Sequence, residues 1–100
     1  MPLSPRQRHK LRMADRTRDA AWITTVIEDL VAANPETALF EIEQEFRDAG
    51  SQTYLIAAPG TAAGFEVALG AFAFRRRLVA AGMTLAQNRA ALAVKPISSA

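Results

Sequence analysis

Apolar positions recur with helical spacing over two early stretches of the chain. Ile23, Val26, Ile27, Leu30 and Val31 fall at i, i+3, i+4, i+7 and i+8, the template of a helix with one buried stripe, and Trp22 flanks that stripe. Asn34-Pro35 stops this helix, because proline cannot continue an interior turn, and opens the next one. The second helix is expected from about Pro35 to Ala49, with Leu39, Ile42, Phe46 and Ala49 on one face and Gly50 supplying the left-handed residue after its end. Two amphipathic helices on so short a link are expected to pack antiparallel as a hairpin.

Local signals extend the pattern at both ends. Ser4-Pro5-Arg6-Gln7 places serine at an N-cap, proline at the first helical position and glutamine three residues after the serine, which is a capping box. The apolar residues that follow, Leu11, Met13 and Ala14, form no stripe, so residues 1–18 read as a basic arm, either disordered or a helical extension. Near the other end Gly82 breaks the chain, Thr84-Leu85-Ala86-Gln87 repeats the capping-box pattern, and a short helix to about Val94 precedes Pro96 and a disordered tail at 96–100.

The stretch from Gln52 to Phe74 admits two patterns. Thr53 to Ala58 and Phe65 to Leu69 read as two strands joined by Pro59-Gly60-Thr61-Ala62-Ala63-Gly64. Alternatively, Thr61 caps a helix through Ala81 that carries Phe65, Leu69, Phe72 and Val79 on one side. The helix is the preferred reading, because alanine is the best helix former and a lone two-stranded hairpin is marginal in water. The expected fold is therefore all-α, a small bundle of about four helices over residues 19–95 with a basic N-terminal arm. The alternative is an α+β fold with one short hairpin at about 53–69.

Composition narrows the class without naming a function. A chain of 100 residues with half its positions apolar forms one domain with a modest core. With no cysteine there is no disulfide framework and no thiolate metal site, and a reducing cytoplasm is the expected location. The basic N-terminus is followed by no uninterrupted apolar run, so it does not read as a secretory signal. Tyr54 to Phe74 has the length of a membrane span, but Pro59-Gly60 and Glu66 interrupt it, and a membrane partner is not expected.

The net charge of +2 conceals a basic, acidic, basic order along the chain. Arg6, Arg8, Lys10, Arg12, Arg16 and Arg18 crowd the arm, Glu28 to Asp48 is strongly acidic, and Arg75, Arg76 and Arg77 lead a second basic segment. The acidic helix is expected to face a basic segment and neutralise part of it. The same arginines are the candidate contacts for nucleic acid or an acidic partner, since phosphate neutralisation needs clustered cations. No aromatic interleaves with them, and three successive arginines on a helix spread over about 200°.

Chemistry-bearing constellations are few. Glu41, Glu45 and Asp48 recur on one helix face, but the lone His9 lies elsewhere and no metal or other cofactor is expected. Glu66 is an isolated charge in an otherwise uncharged stretch and is the candidate buried carboxylate. No nucleophile motif or phosphate loop is present. The expected function is a small cytosolic, non-enzymatic interaction or regulatory module, bound to a protein partner or self-associating. The alternatives are a nucleic-acid-associated protein using the arm and Arg75 to Arg77, and a small enzyme or ligand-binding protein centred on Glu66. On the nucleic-acid reading, deleting residues 1–18 would abolish binding and leave the fold intact.

Overall fold

A computed structural model of the protein describes residues 3–94. Among these residues the order is α1 (Pro5–Arg16), α2 (Ala20–Ala33), α3 (Leu39–Asp48), β1 (Thr53–Ala57), β2 (Phe65–Leu69), α4 (Ala71–Ala80) and α5 (Leu85–Ala93). The chain is mostly helical with one antiparallel hairpin, so the α+β alternative describes it better than the preferred all-α bundle. The tail expected at 96–100 lies outside the described residues.

Both capping boxes form as the sequence reads. The Gln7 amide donates to Ser4 Oγ at 3.1 Å and Ser4 N–H donates to Gln7 Oε1 at 2.9 Å. Thr84 and Gln87 exchange the same pair of bonds at the start of α5. Asp19 caps α2 by accepting from the amides of Ala21 and Trp22. The stripe of α2 enters the core as expected, with Ile23, Val26, Ile27 and Leu30 buried, while Trp22 is 52% exposed.

Three expectations change. First, α3 starts at Leu39 rather than Pro35, because Thr37 N–H closes a turn onto Asn34 and the Glu41 carboxylate accepts Ala38 N–H, which makes Ala38 the cap. Secondly, α2 and α3 do not form a tight pair: α2 packs on α1 and β2, and α3 packs on β1 and α5. Helix α1 takes the place beside α2, since Leu11 and Ala14 enter the same cluster as Ile23 and Ile27. Thirdly, the helix preferred over Thr61 to Ala81 is split into β2 and α4. Gly70 sits between them at φ 103° and ψ 150°, a conformation open only to glycine, so a continuous helix cannot pass through it.

The hairpin escapes the marginality of an isolated pair because helices cover both of its faces. Thr53 pairs with Leu69, Leu55 with Val67 and Ala57 with Phe65. Side chains alternate across a pleat. Leu55 and Phe65 join the main core with Leu11, Ile27, Ile42, Phe46 and Leu92. Ile56 and Ala68 point the other way, into a smaller cluster closed by Phe74 and Leu78 of α4. Tyr54 stacks on Phe74 at a centroid distance of 4.5 Å, so α4 lies on one face of the hairpin and the main core on the other. No helix among the described residues is long and apolar enough to cross a membrane.

Candidate functional site

A two-stranded sheet has two outer edges, and in this chain they are treated differently. On β1 most of the backbone groups that point away from β2 are taken by side chains: Thr53 C=O, both groups of Leu55 and Ala57 N–H. Leu55 N–H donates to Glu43 Oε2 at 2.5 Å, and the Asn88 amide spans the next turn of the strand, donating to Leu55 O at 2.9 Å and accepting from Ala57 N–H at 2.8 Å. Arg47 donates to the carbonyl oxygens of Thr53 and Ser51 and lies over the Tyr54 ring, 4.0 Å from its centroid. The Thr53 hydroxyl donates to Asp15, which is 8% exposed, and Arg18 bridges the two, reaching Thr53 at 2.8 Å and Asp15 at 3.1 Å. Arg18 itself has φ 51°, a rare value for a residue with a side chain, and these two bonds hold it there.

The edge of β2 has no such cover. The register and the outward bonds of Leu55 and Ala57 require Phe65, Val67 and Leu69 to direct their N–H and C=O groups away from β1. Those groups have no hydrogen-bond partner among the described residues. Along this edge runs an open slot of about 530 Å³, walled by Ala20, Ala21 and Thr24 of α2 and by Ala73 and Arg77 of α4. The walls are mostly small side chains, so another backbone can approach the strand. Glu66 and Arg77 are the charged residues of the slot, and they are paired with each other.

The sequence-selected residues are placed as follows. Glu66 is half-buried on the α4 side of the hairpin and ion-paired with Arg77 rather than enclosed. A groove of about 810 Å³ adjoins the pair beneath α4. Being partly solvated, the pair is worth little, and Glu66→Gln is expected to change stability by less than about 1 kcal/mol in urea titration. Arg8 and Arg12 both approach Glu45 of α3, at 4.0 and 3.7 Å, which is the neutralisation expected of the acidic helix. Arg16 contacts Met13, and Arg6 and Lys10 are exposed on α1. Arg75, Arg76 and Arg77 are exposed on α4, with Arg76 over the Phe72 ring. Helices α1 and α4 contribute to opposite faces of the hairpin, so the two basic groups are not brought onto one surface. No group of metal-binding side chains occurs among the described residues.

Sequence reasoning passed over Asp15, Glu43, Arg47 and Asn88. Asp15 had a signal, since it lies four residues after Leu11 and next to Ala14, on the inner face of α1. Asn88 had a weaker one, four residues before the buried Leu92. Glu43 is the group with a displaced ionisation: burial raises its pKa above the ordinary carboxylate value, against the lowering effects of the Leu55 N–H and of Arg47 and Arg89. A pKa raised in the folded state means that the stability tied to Glu43 is full below the unfolded-state value and is lost as pH rises through the folded one. Glu43→Gln keeps an acceptor for Leu55 N–H and removes the titration. The variant is therefore expected to gain stability relative to the parent as pH rises through that window, measured by urea unfolding of both proteins at a series of pH values. Glu43→Ala, which orphans the Leu55 amide, is expected to lose stability at every pH.

No protein-family model, curated protein or solved structure matches this chain.

Proposed function

We propose that this chain is a small non-enzymatic interaction module that takes an extended segment of a protein partner onto the outer edge of β2. The observation that carries this reading is the contrast between the two edges of one hairpin: side chains from α3 and α5 bond most of the outward backbone groups of β1, while β2 presents unpaired backbone groups at the floor of a slot. Natural sheets protect exposed edges with proline, lysine or a bulge. Phe65-Glu66-Val67-Ala68-Leu69 contains neither proline nor lysine and pairs with β1 in unbroken register. Strand addition uses such an edge, with main-chain bonds giving affinity and alternate side chains giving selectivity.

The cysteine-free composition suits a module acting in a reducing cytoplasm. The separation of the basic residues onto opposite sides of the hairpin, with Arg8, Arg12, Arg18 and Arg77 already paired, favours a protein partner over nucleic acid. The pairing of Glu66 with Arg77 favours binding over catalysis.

The test is amide NMR of the labelled protein titrated with a panel of extended peptides of alternating sequence, residues 63–71 of the chain among them. The expected result is that shifts concentrate at Phe65, Val67, Leu69 and the slot walls Ala21 and Ala73. Shifts confined to the arginines of α1 or α4, or none with any peptide at a concentration where the chain is monomeric, would overturn the reading.

A further inference from the structure

We infer that the segment received by the β2 edge is β2 of a second copy of this chain, the two hairpins joining about a two-fold axis at Val67 into one four-stranded antiparallel sheet. The inference rests on the strand-addition reading above and names its occupant.

The edge is self-complementary. In an antiparallel pairing centred on Val67, the two Val67 residues exchange reciprocal N–H to C=O bonds at the axis, and Phe65 of each copy does so with Leu69 of the other. Phe65, Val67 and Leu69 direct their side chains to the main-core side, so the joined strands extend one apolar face. On the other face, Glu66 falls opposite Ala68 of the second copy, and the two Glu66 positions are diagonal, their backbones about 7–8 Å apart, with each carboxylate paired to its own Arg77. No like charges are set directly opposite. The slot is electrically balanced, since Glu66 and Arg77 are its charged residues, which suits a copy of itself better than a strongly charged partner.

The surroundings agree with this occupant. Ala20, Ala21 and Ala73 are small enough to admit a second hairpin at the inter-strand spacing of about 4.8 Å. Next to these wall residues stand two large exposed side chains, Trp22 on α2 at 52% and Phe72 on α4 at 72%. Each adjoins a wall residue in the chain, Ala21 or Ala73, but neither lines the slot itself, and Phe72 stands with Arg75, Arg76 and Val79 on α4. An isologous contact through a shared sheet closes on itself and leaves the two β1 edges, most of whose backbone groups are bonded by side chains, at the ends.

The test is sedimentation equilibrium of the full chain over a wide concentration range, with two variants. Val67→Pro removes an amide that does not bond to β1, and Ala21→Glu fills the slot from an exposed position in the first turn of α2, where an acidic residue suits the helix dipole. The expected result is a reversible shift from 10.8 kDa to twice that mass, with each folded variant raising the dissociation constant by about tenfold or more. Should Val67→Pro fail to fold, Ala21→Glu carries the comparison alone. A parent protein that stays monomeric while extended peptides shift Phe65, Val67 and Leu69 overturns the inference and leaves the strand-addition reading standing. A monomer that binds no peptide overturns both, and a dimer whose affinity Ala21→Glu leaves unchanged overturns the inference by placing the contact elsewhere.

Discussion

Replacing Leu11 with alanine is expected to destabilise the folded chain by about 2–5 kcal/mol, enough to leave much of so small a domain unfolded at room temperature. Leu11 is 0% exposed and belongs to the cluster that contains Ile23, Ile27, Ile42 and Phe46, so its truncation opens a cavity where α1, α2 and α3 meet. The same placement changes what a deletion does. Sequence reading treats residues 1–18 as dispensable for folding, whereas Leu3, Leu11, Ala14 and Asp15 are buried and Asp15 anchors Thr53 of β1. Removing those residues should therefore abolish cooperative unfolding rather than trim an arm. Urea titration followed by the fluorescence of Trp22 checks both variants, and a Leu11→Ala protein within about 0.5 kcal/mol of the parent would place α1 outside the core.

Asn88→Ala is expected to cost about 2–4 kcal/mol, since it leaves Leu55 C=O and Ala57 N–H unsatisfied inside the protein. Asn88 is only 2% exposed, so water cannot readily replace the amide. Its side chain matches one strand residue's carbonyl and the next outward amide, as a neighbouring strand would, and thereby closes the β1 edge. Asn88→Asp gives a sharper signature. The ionised carboxylate still accepts from Ala57 N–H but faces the Leu55 carbonyl without a donor, whereas the protonated acid can donate to it. That variant should recover stability as the pH is lowered relative to the parent, and the absence of any such recovery would argue that Asn88 does not bridge these groups. Hydrogen exchange of the Ala57 amide reports the same contact residue by residue.

How much of this was legible follows from the range of each interaction. The caps at Ser4, Asp19 and Thr84 involve residues two or three apart, and those at Ser4 and Thr84 stand plainly in the sequence. The stripe of α2 is local too. Between Gln52 and Phe74 the signals conflict: Phe65, Leu69 and Phe72 fit a helical face, and alternation over Phe65 to Leu69 fits a strand as well. What decides is Gly70, held at positive φ, together with the cover that α4 and the main core give the hairpin on opposite faces. Neither can be seen from a window of neighbours. Glu66 was singled out for its isolation in sequence, but isolation says nothing about its partner eleven residues on, Arg77. The residues that shape the candidate site, Glu43, Asn88 and Asp15, act on backbone groups 12, 31 or 33 residues away, or on a side chain 38 residues away. Their polar character reads as surface until the strand they serve is in place.

On the proposed function, a partner strand occupies the open edge of β2, while side chains cover the edge of β1. Amide hydrogen exchange, followed by NMR at low concentration and again at a concentration where the chain associates, tests it most directly. The account predicts that Leu55 and Ala57 are protected in both states, while Val67, with Phe65 and Leu69, exchanges rapidly in the dilute chain and becomes protected on association. Equal protection of Val67 in the two states, or protection gained elsewhere while the β2 edge stays open, would contradict it.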